Sequence, residues 1–191
     1  MKNTKAKLLV ESAVMVAFAF VLSLLKIWEM PFGGSVTMLS MLPIILIAVK
    51  NGVKWGLGAA FCYSLTQLAV SGVFAWGLTP TILVGSIMLD YVVAFTVLGV
   101  AGVFGKSRKS AIAGTVFACA VRFISHFLSG FILWANLEKF VAFGNTWVNR
   151  PVLYSLCYNG AFMLPEIVFT TVGVAVIVNI PAMRKLLNLT K

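Results

Sequence analysis

The sequence predicts an all-α, polytopic membrane protein: a single integral-membrane domain over residues 1–191, with six transmembrane helices and both termini in the cytoplasm. Three observations lead there. Of the 191 residues, 61% are hydrophobic and only 10% charged, whereas soluble domains carry about 25% charge. The apolar residues gather into runs of roughly 20, the length that crosses a bilayer, with Gly, Pro and basic turns between them. Lys and Arg are also unevenly placed. Lys2, Lys5, Lys7, Lys50, Lys54, Lys106, Arg108, Lys109, Arg184, Lys185 and Lys191 fall on one side of a six-span layout, and only Lys26, Lys139 and Arg150 on the other. The positive-inside rule puts the richer side in the cytoplasm.

Helix 1 is expected from about Lys7 to Trp28. Its start, "MKNTKAKLLVESAVMVAFAFVLSLL", imitates a secretory signal, down to an Ala17-Phe18-Ala19 triplet. The apolar run continues to Leu25, too long for a signal core, so the helix is expected to be retained. After the loop "EMPFGGSV", helix 2 covers about Thr37 to Lys50 and is short for a span. "KNGVK" forms a tight turn, and helix 3 follows from about Trp55 to Ser71. The loop "GVFAWGLTP" leads into helix 4, about Thr81 to Phe104. "GKSRKS" is a basic turn, and helix 5 runs from about Ala111 to Ala135. A longer loop, Asn136 to Arg150, precedes helix 6, about Pro151 to Ile180. Pro165 is expected to kink that helix.

Several function classes fall away. A net charge of +10 suggests nucleic acid in a soluble protein, but here the cations sit at helix ends, where topology explains them. Cys62, Cys119 and Cys157 lie inside apolar segments without metal-ligand spacing, so neither a metal, a cofactor nor a disulfide is expected. "GVFGKSRKS" resembles a phosphate loop, but Val100 stands where that pattern needs glycine, and no strand precedes it. No nucleophile elbow or HExxH is present. The chain reads as no enzyme and has no nucleotide site of its own. "NLT" at Asn188 falls on the cytoplasmic side, which argues against glycosylation.

The polar residues inside the spans carry the functional signal. Asp90 in helix 4, His126 in helix 5 and Asn159 in helix 6 all lie roughly 12–14 Å below the outer surface, at about 1.5 Å per residue. Ionisable groups inside a membrane usually face a cavity or one another. The shared depth favours one cavity opening outward. Tyr91, Trp134, Tyr154 and Tyr158 surround this level, with Phe32, Trp76 and Trp147 in the outer loops. A carboxylate among aromatic faces suits a flat organic cation: the charge is neutralised, and each ring adds about 0.5–2 kcal/mol. Against this, each aromatic can be a belt residue, His126 a satisfied core histidine, Asn159 interhelical glue, and Asp90 simply the partner of His126. Tyr154 and Asn159 also lie about 140° apart on an ideal helix, so both reach one pocket only if Tyr154 enters from the first turn.

Two further features stand out. Arg122 lies one turn inward of His126, and Glu166 two turns inward of Asn159. A structural ion pair forming the cavity floor is expected, with a proton or ion relay as the alternative. On helix 1, Ala13 and Ala17 make a small-xxx-small face that either packs inside the chain or docks another membrane subunit.

The stretches "MPFGGSVTMLSMLP", "LDYVVAF", "VRFISHFLSGFILW" and "YSLCYNGAFMLPE" together resemble the thiamine-specific substrate-binding subunit (S-component) of energy-coupling factor vitamin transporters. The resemblance covers essentially the whole chain. It implies a prokaryotic cell-membrane protein that binds thiamine from outside. By matching position it implies Asp90, Tyr91, His126, Trp134, Tyr154 and Asn159 as ligand residues. Trp28, Phe32 and Trp76 could not be placed in that alignment and stand as candidates. The resemblance also implies that Ala13 and Ala17 dock a shared transmembrane coupling subunit, with two cytoplasmic ATPases supplying energy. Membrane lipid is the remaining partner, and nucleic acid is not one. The competing expectation is a stand-alone, ion-coupled transporter of a small organic cation. The absence of internal repeats argues against that alternative.

Overall fold

The computed structural model describes residues 2–134, 141–142, 145–146 and 149–190. Among the described residues, five helices are long and apolar enough to cross a membrane. They are α1 (Lys2–Leu24), α3 (Val53–Ala69, extended by a turn at Val73–Ala75), α4 (Pro80–Gly102), α5 (Arg108–Trp134) and α6 (Pro151–Asn179). A shorter helix, α2 (Leu42–Asn51), lies between α1 and α3, and α7 (Pro181–Leu186) closes the chain. Strands β1 (Lys26–Glu29) and β2 (Ser35–Thr37) form an antiparallel hairpin. Val141–Ala142 (β3) and Asn145–Thr146 (β4) also pair antiparallel.

Every residue of α2 from Leu42 to Val49 is buried. A helix that is apolar all round belongs at the centre of a bundle. It packs against α1, α3, the end of α4 and α6. Its neighbours come close because their contact residues are small. A Cβ on Gly56 meets Ala48 at 2.6 Å, and one on Gly114 meets the backbone of Ala101. Small residues let helix backbones approach where lipid removes the usual hydrophobic drive.

One end of the bundle gathers the basic turns and both chain ends. Lys50 pairs with Glu11 of α1 at 2.8 Å. Lys106 donates to the carbonyls of Val49 and Lys50, and Thr190 N donates to the Lys106 carbonyl at 2.7 Å. Partial burial holds the Lys106 ammonium below its usual pKa. The hairpin, the turn before α4 and the end of α5 occupy the opposite end.

Two expected boundaries differ, each for a local reason. Helix 1 stops at Leu24 rather than Trp28. The Pro-Phe-Gly-Gly turn, with Phe32 at φ 62° and Gly33 at φ 94°, folds Lys26–Glu29 back onto Ser35–Thr37. Helix 2 begins at Leu42 rather than Thr37. Pro43 fits the first turn of a helix but not the interior of one begun at Thr37, where it would lose its bond to residue 39. Helix α6 runs unbroken through Pro165. Trp147, Lys139 and the end of helix 5 at Ala135 lie outside the described residues.

Candidate substrate-binding site

A cavity of about 330 Å³ lies at the hairpin end. Small-molecule sites range over about 300–1,000 Å³. All six residues singled out in the sequence line it: Asp90, Tyr91, His126, Trp134, Tyr154 and Asn159. Phe32 and Trp76 line it as well, whereas Trp28 is exposed and does not.

Asp90 and Tyr91 share the wall because of how α4 is wound. Residues Ile87–Val93 form a π-helical segment. Such wider turns are frequent at functional sites, and they let adjacent residues face one side. A second π segment, Gly130–Trp134, ends α5 on the opposite wall. Gly130 is required there, since a Cβ would meet Ser155 Oγ at 2.6 Å and Asn159 Nδ2 at 2.9 Å.

Among the described residues, the Asp90 carboxylate takes its hydrogen bonds from α5. His126 Nδ1 lies 3.0 Å from Oδ1, Ser129 Oγ donates to Oδ2 at 2.5 Å, and Trp134 Nε1 approaches Oδ2 at 3.4 Å. So Asp90 does pair with His126, yet it still opens on the cavity. Asn159 acts partly as glue. Its Nδ2 donates to the His126 carbonyl at 3.1 Å and to Ser155. Tyr154 reaches the cavity because α6 begins at Pro151, which puts Tyr154 on the first turn. That removes the 140° objection.

Aromatic rings enclose the upper part. Phe32, Trp76 and Trp134, from the hairpin, the turn before α4 and α5, meet with centroids 5.5–5.9 Å apart. Tyr154 and Tyr158 stack at 5.7 Å, and Phe162 meets Tyr158 edge-on at 6.0 Å. Tyr158 also ties the hairpin down: its hydroxyl accepts from Gly34 N at 3.2 Å and donates to the Pro31 carbonyl. Gly34 permits this, because a Cβ there would meet that hydroxyl at 2.9 Å.

The expected ion pair between Arg122 and Glu166 is not formed, although both residues line the cavity floor. The late start of α2 explains why. The segment before it is not helical, so Thr37 has a backbone N–H to give. That N–H and the Thr37 hydroxyl reach Glu166 Oε1 at 2.5 and 2.6 Å. Arg122 turns elsewhere. Its guanidinium lies 4.2 Å over the Phe95 ring, with Nη1 against Met41 Sδ and Nε 3.4 Å from His126 Nε2.

Sequence reasoning missed Ser129, Thr37 and Phe162. Ser129 is three residues from His126 on the same helical face, which was the available signal. Thr37 gave none while it was read as helical.

Comparison with known proteins decides the family. Residues 9–186 match the family described as thiamine transporter protein (Thia_YuaJ). The chain belongs to this family. The Thia_YuaJ relatives include the thiamine transporter ThiT of Bacillus subtilis, 32% identical over 86% of this chain and 86% of its own length. Another is ThiT of Lacticaseibacillus paracasei, 26% identical over 90% of this chain and 87% of that one. A solved structure of ThiT from Listeria monocytogenes superposes with a TM-score of 0.72 at 21% identity, covering 95% of this chain and 99% of that one. It shares the fold. As a Thia_YuaJ member with several membrane-spanning helices, the chain is a multi-pass protein of the bacterial cell membrane.

Proposed function

We propose that the chain is the thiamine-binding membrane subunit of an energy-coupling factor importer, with six crossings and both termini in the cytoplasm. Family membership supports thiamine as the ligand. The observation that carries the reading is a carboxylate, Asp90, opening on a cavity walled by Tyr91, Trp134, Tyr154, Phe32 and Trp76. Thiamine joins a cationic thiazolium to a flat aminopyrimidine. Asp90 neutralises the first, and the rings stack on both. The Asn159 amide oxygen offers an acceptor to the aminopyrimidine or the hydroxyl arm, and His126, with its ring nitrogens on Asp90 and Arg122, holds the carboxylate that faces the ligand.

Orientation follows from charge: the end carrying Lys50, Lys106 and both chain ends faces the cytoplasm. The sixth crossing combines β2, the turn after it and α2. Ala13 and Ala17 are exposed on α1, so internal packing does not use them. They serve as the docking face for the coupling subunit, whose two ATPases supply the energy.

Isothermal titration of thiamine into the purified chain tests the reading, with uptake measured in liposomes alongside. Saturable one-to-one binding without uptake by the chain alone is expected. No binding, or uptake driven by a proton gradient alone, overturns it. Enlarging Ala13 and Ala17 to Leu is expected to abolish uptake with the partner subunits present while sparing binding. Uptake left intact removes this face from the coupling.

A further inference from the structure

His126 is the one histidine of the chain, and its two ring nitrogens meet opposite demands. Nδ1 sits 3.0 Å from the Asp90 carboxylate, which only accepts. Nε2 faces Arg122 Nε at 3.4 Å, and a guanidinium only donates. The neutral ring with its proton on Nδ1 satisfies both contacts. A second proton, on Nε2, would set N–H against N–H and place two cations side by side in a buried site.

Without Arg122 only burial still opposes that proton, and the Asp90 carboxylate favours a ring that takes it and becomes its counter-ion. That internal cation would compete with any cation arriving from outside. We propose that Arg122 is a positioning residue that keeps His126 neutral and Nδ1-protonated, leaving the charge of Asp90 to the ligand.

The packing around Arg122 fits this role. It forms no ion pair with a carboxylate among the described residues. Phe95 backs its guanidinium, and Met41 takes one amino group. Glu166, which also lines the cavity floor, gives one carboxylate oxygen to Thr37 rather than to Arg122. The Arg122 Nε is left to face His126. Other titratable groups around the cavity are Tyr91 on α4, Tyr154, Tyr158 and Glu166 on α6, and the Lys26–Glu29 pair on the hairpin. All are common to wild type and variant, so a difference between the two isolates the Arg122–His126 contact.

The consequence for binding rests on the cation-site reading above, but the protonation state does not. Nitrogen-15 NMR of the histidine-labelled chain gives one pair of ring signals. In wild type these are expected to report the neutral Nδ1–H form from pH 5.5 to 8.0. In Arg122→Gln the imidazolium is expected as pH falls. Thiamine affinity is then expected to stay flat over that range in wild type. In Arg122→Gln it falls about tenfold between pH 7.5 and 5.5, the range of an ordinary imidazole. Arg122→Lys, which keeps a donating cation, restores the flat profile. A wild-type ring protonated on Nε2 at pH 7, or titrating identically in Arg122→Gln, overturns the proposal without using thiamine at all.

Discussion

The two ends of the bundle are built from different residues and hold together differently. Around α2 the buried residues are mostly Ala, Ile, Leu and Val, with backbones nearly touching at Gly56, Gly99 and Gly114. Around the cavity the buried cluster is dominated by the rings of Trp134, Tyr154, Tyr158 and Phe162, with Met30, Val36 and Met163 beside them. The first end leaves no room to move. The second keeps a cavity and lines it with polar groups that cost free energy to bury. A fold that must hold a ligand in a membrane thus gains its rigidity at one end and keeps its binding chemistry at the other.

If that division holds, substitutions at the cavity change affinity and substitutions at the packed end change stability. Asp90→Asn is the sharpest probe. Asparagine keeps the size of the side chain and a partner for Ser129 but removes the charge. Losing a buried charge partner costs about 3 kcal/mol, roughly 100-fold in thiamine affinity. The melting temperature in detergent is expected to move little. An unchanged titration isotherm removes Asp90 from the ligand and breaks the comparison at its strongest point.

Gly114→Val probes the other end. Its Cβ runs into the Ala101 backbone, which cannot rotate away. Overpacking of this kind costs about 2 kcal/mol, about 4–8 °C in melting temperature for a chain of this size. Affinity measured on the folded fraction is expected to stay at the wild-type value. A large loss of affinity in Gly114→Val means that the two ends are mechanically coupled.

The sequence revealed much of this division, and where it failed the cause is local. Asp90, His126 and Asn159 were legible because a polar group in an apolar run is rare and depth follows from helical rise. In the structure His126 and Asp90 meet side chain to side chain at 3.0 Å, and Asn159 reaches the His126 backbone carbonyl at 3.1 Å. The floor was not legible. Reading Thr37 as helical hid the backbone N–H that takes Glu166 from Arg122, and only the placement of Pro43 in the first turn of α2 reveals it. Ser129 escaped because a lone serine in a membrane helix satisfies itself on the preceding turn as easily as it finds a carboxylate. The π turns have no sequence signature of their own, so the sequence placed Tyr91 at the level of Asp90 without showing how two adjacent residues line one cavity.

The smallest effect is expected where the hairpin meets α6. Tyr158 stands on α6, stacked with Tyr154 and edge-on to Phe162, and its hydroxyl holds both Gly34 and Pro31 of the hairpin turn. Tyr158→Phe keeps the ring and those ring contacts but loses both bonds. A buried hydrogen bond contributes about 1 kcal/mol net, so the turn is loosened rather than unfolded. Because the hairpin carries Phe32 into the aromatic wall, a looser turn lets bound thiamine leave sooner. About fivefold faster dissociation is expected, with association nearly unchanged, read by stopped-flow quenching of tryptophan fluorescence. Slower association at a constant dissociation rate would instead make the hairpin part of the entry path. An unchanged pair of rates would make the Tyr158 tether a structural strut, moving the border between the rigid and binding ends above the hairpin.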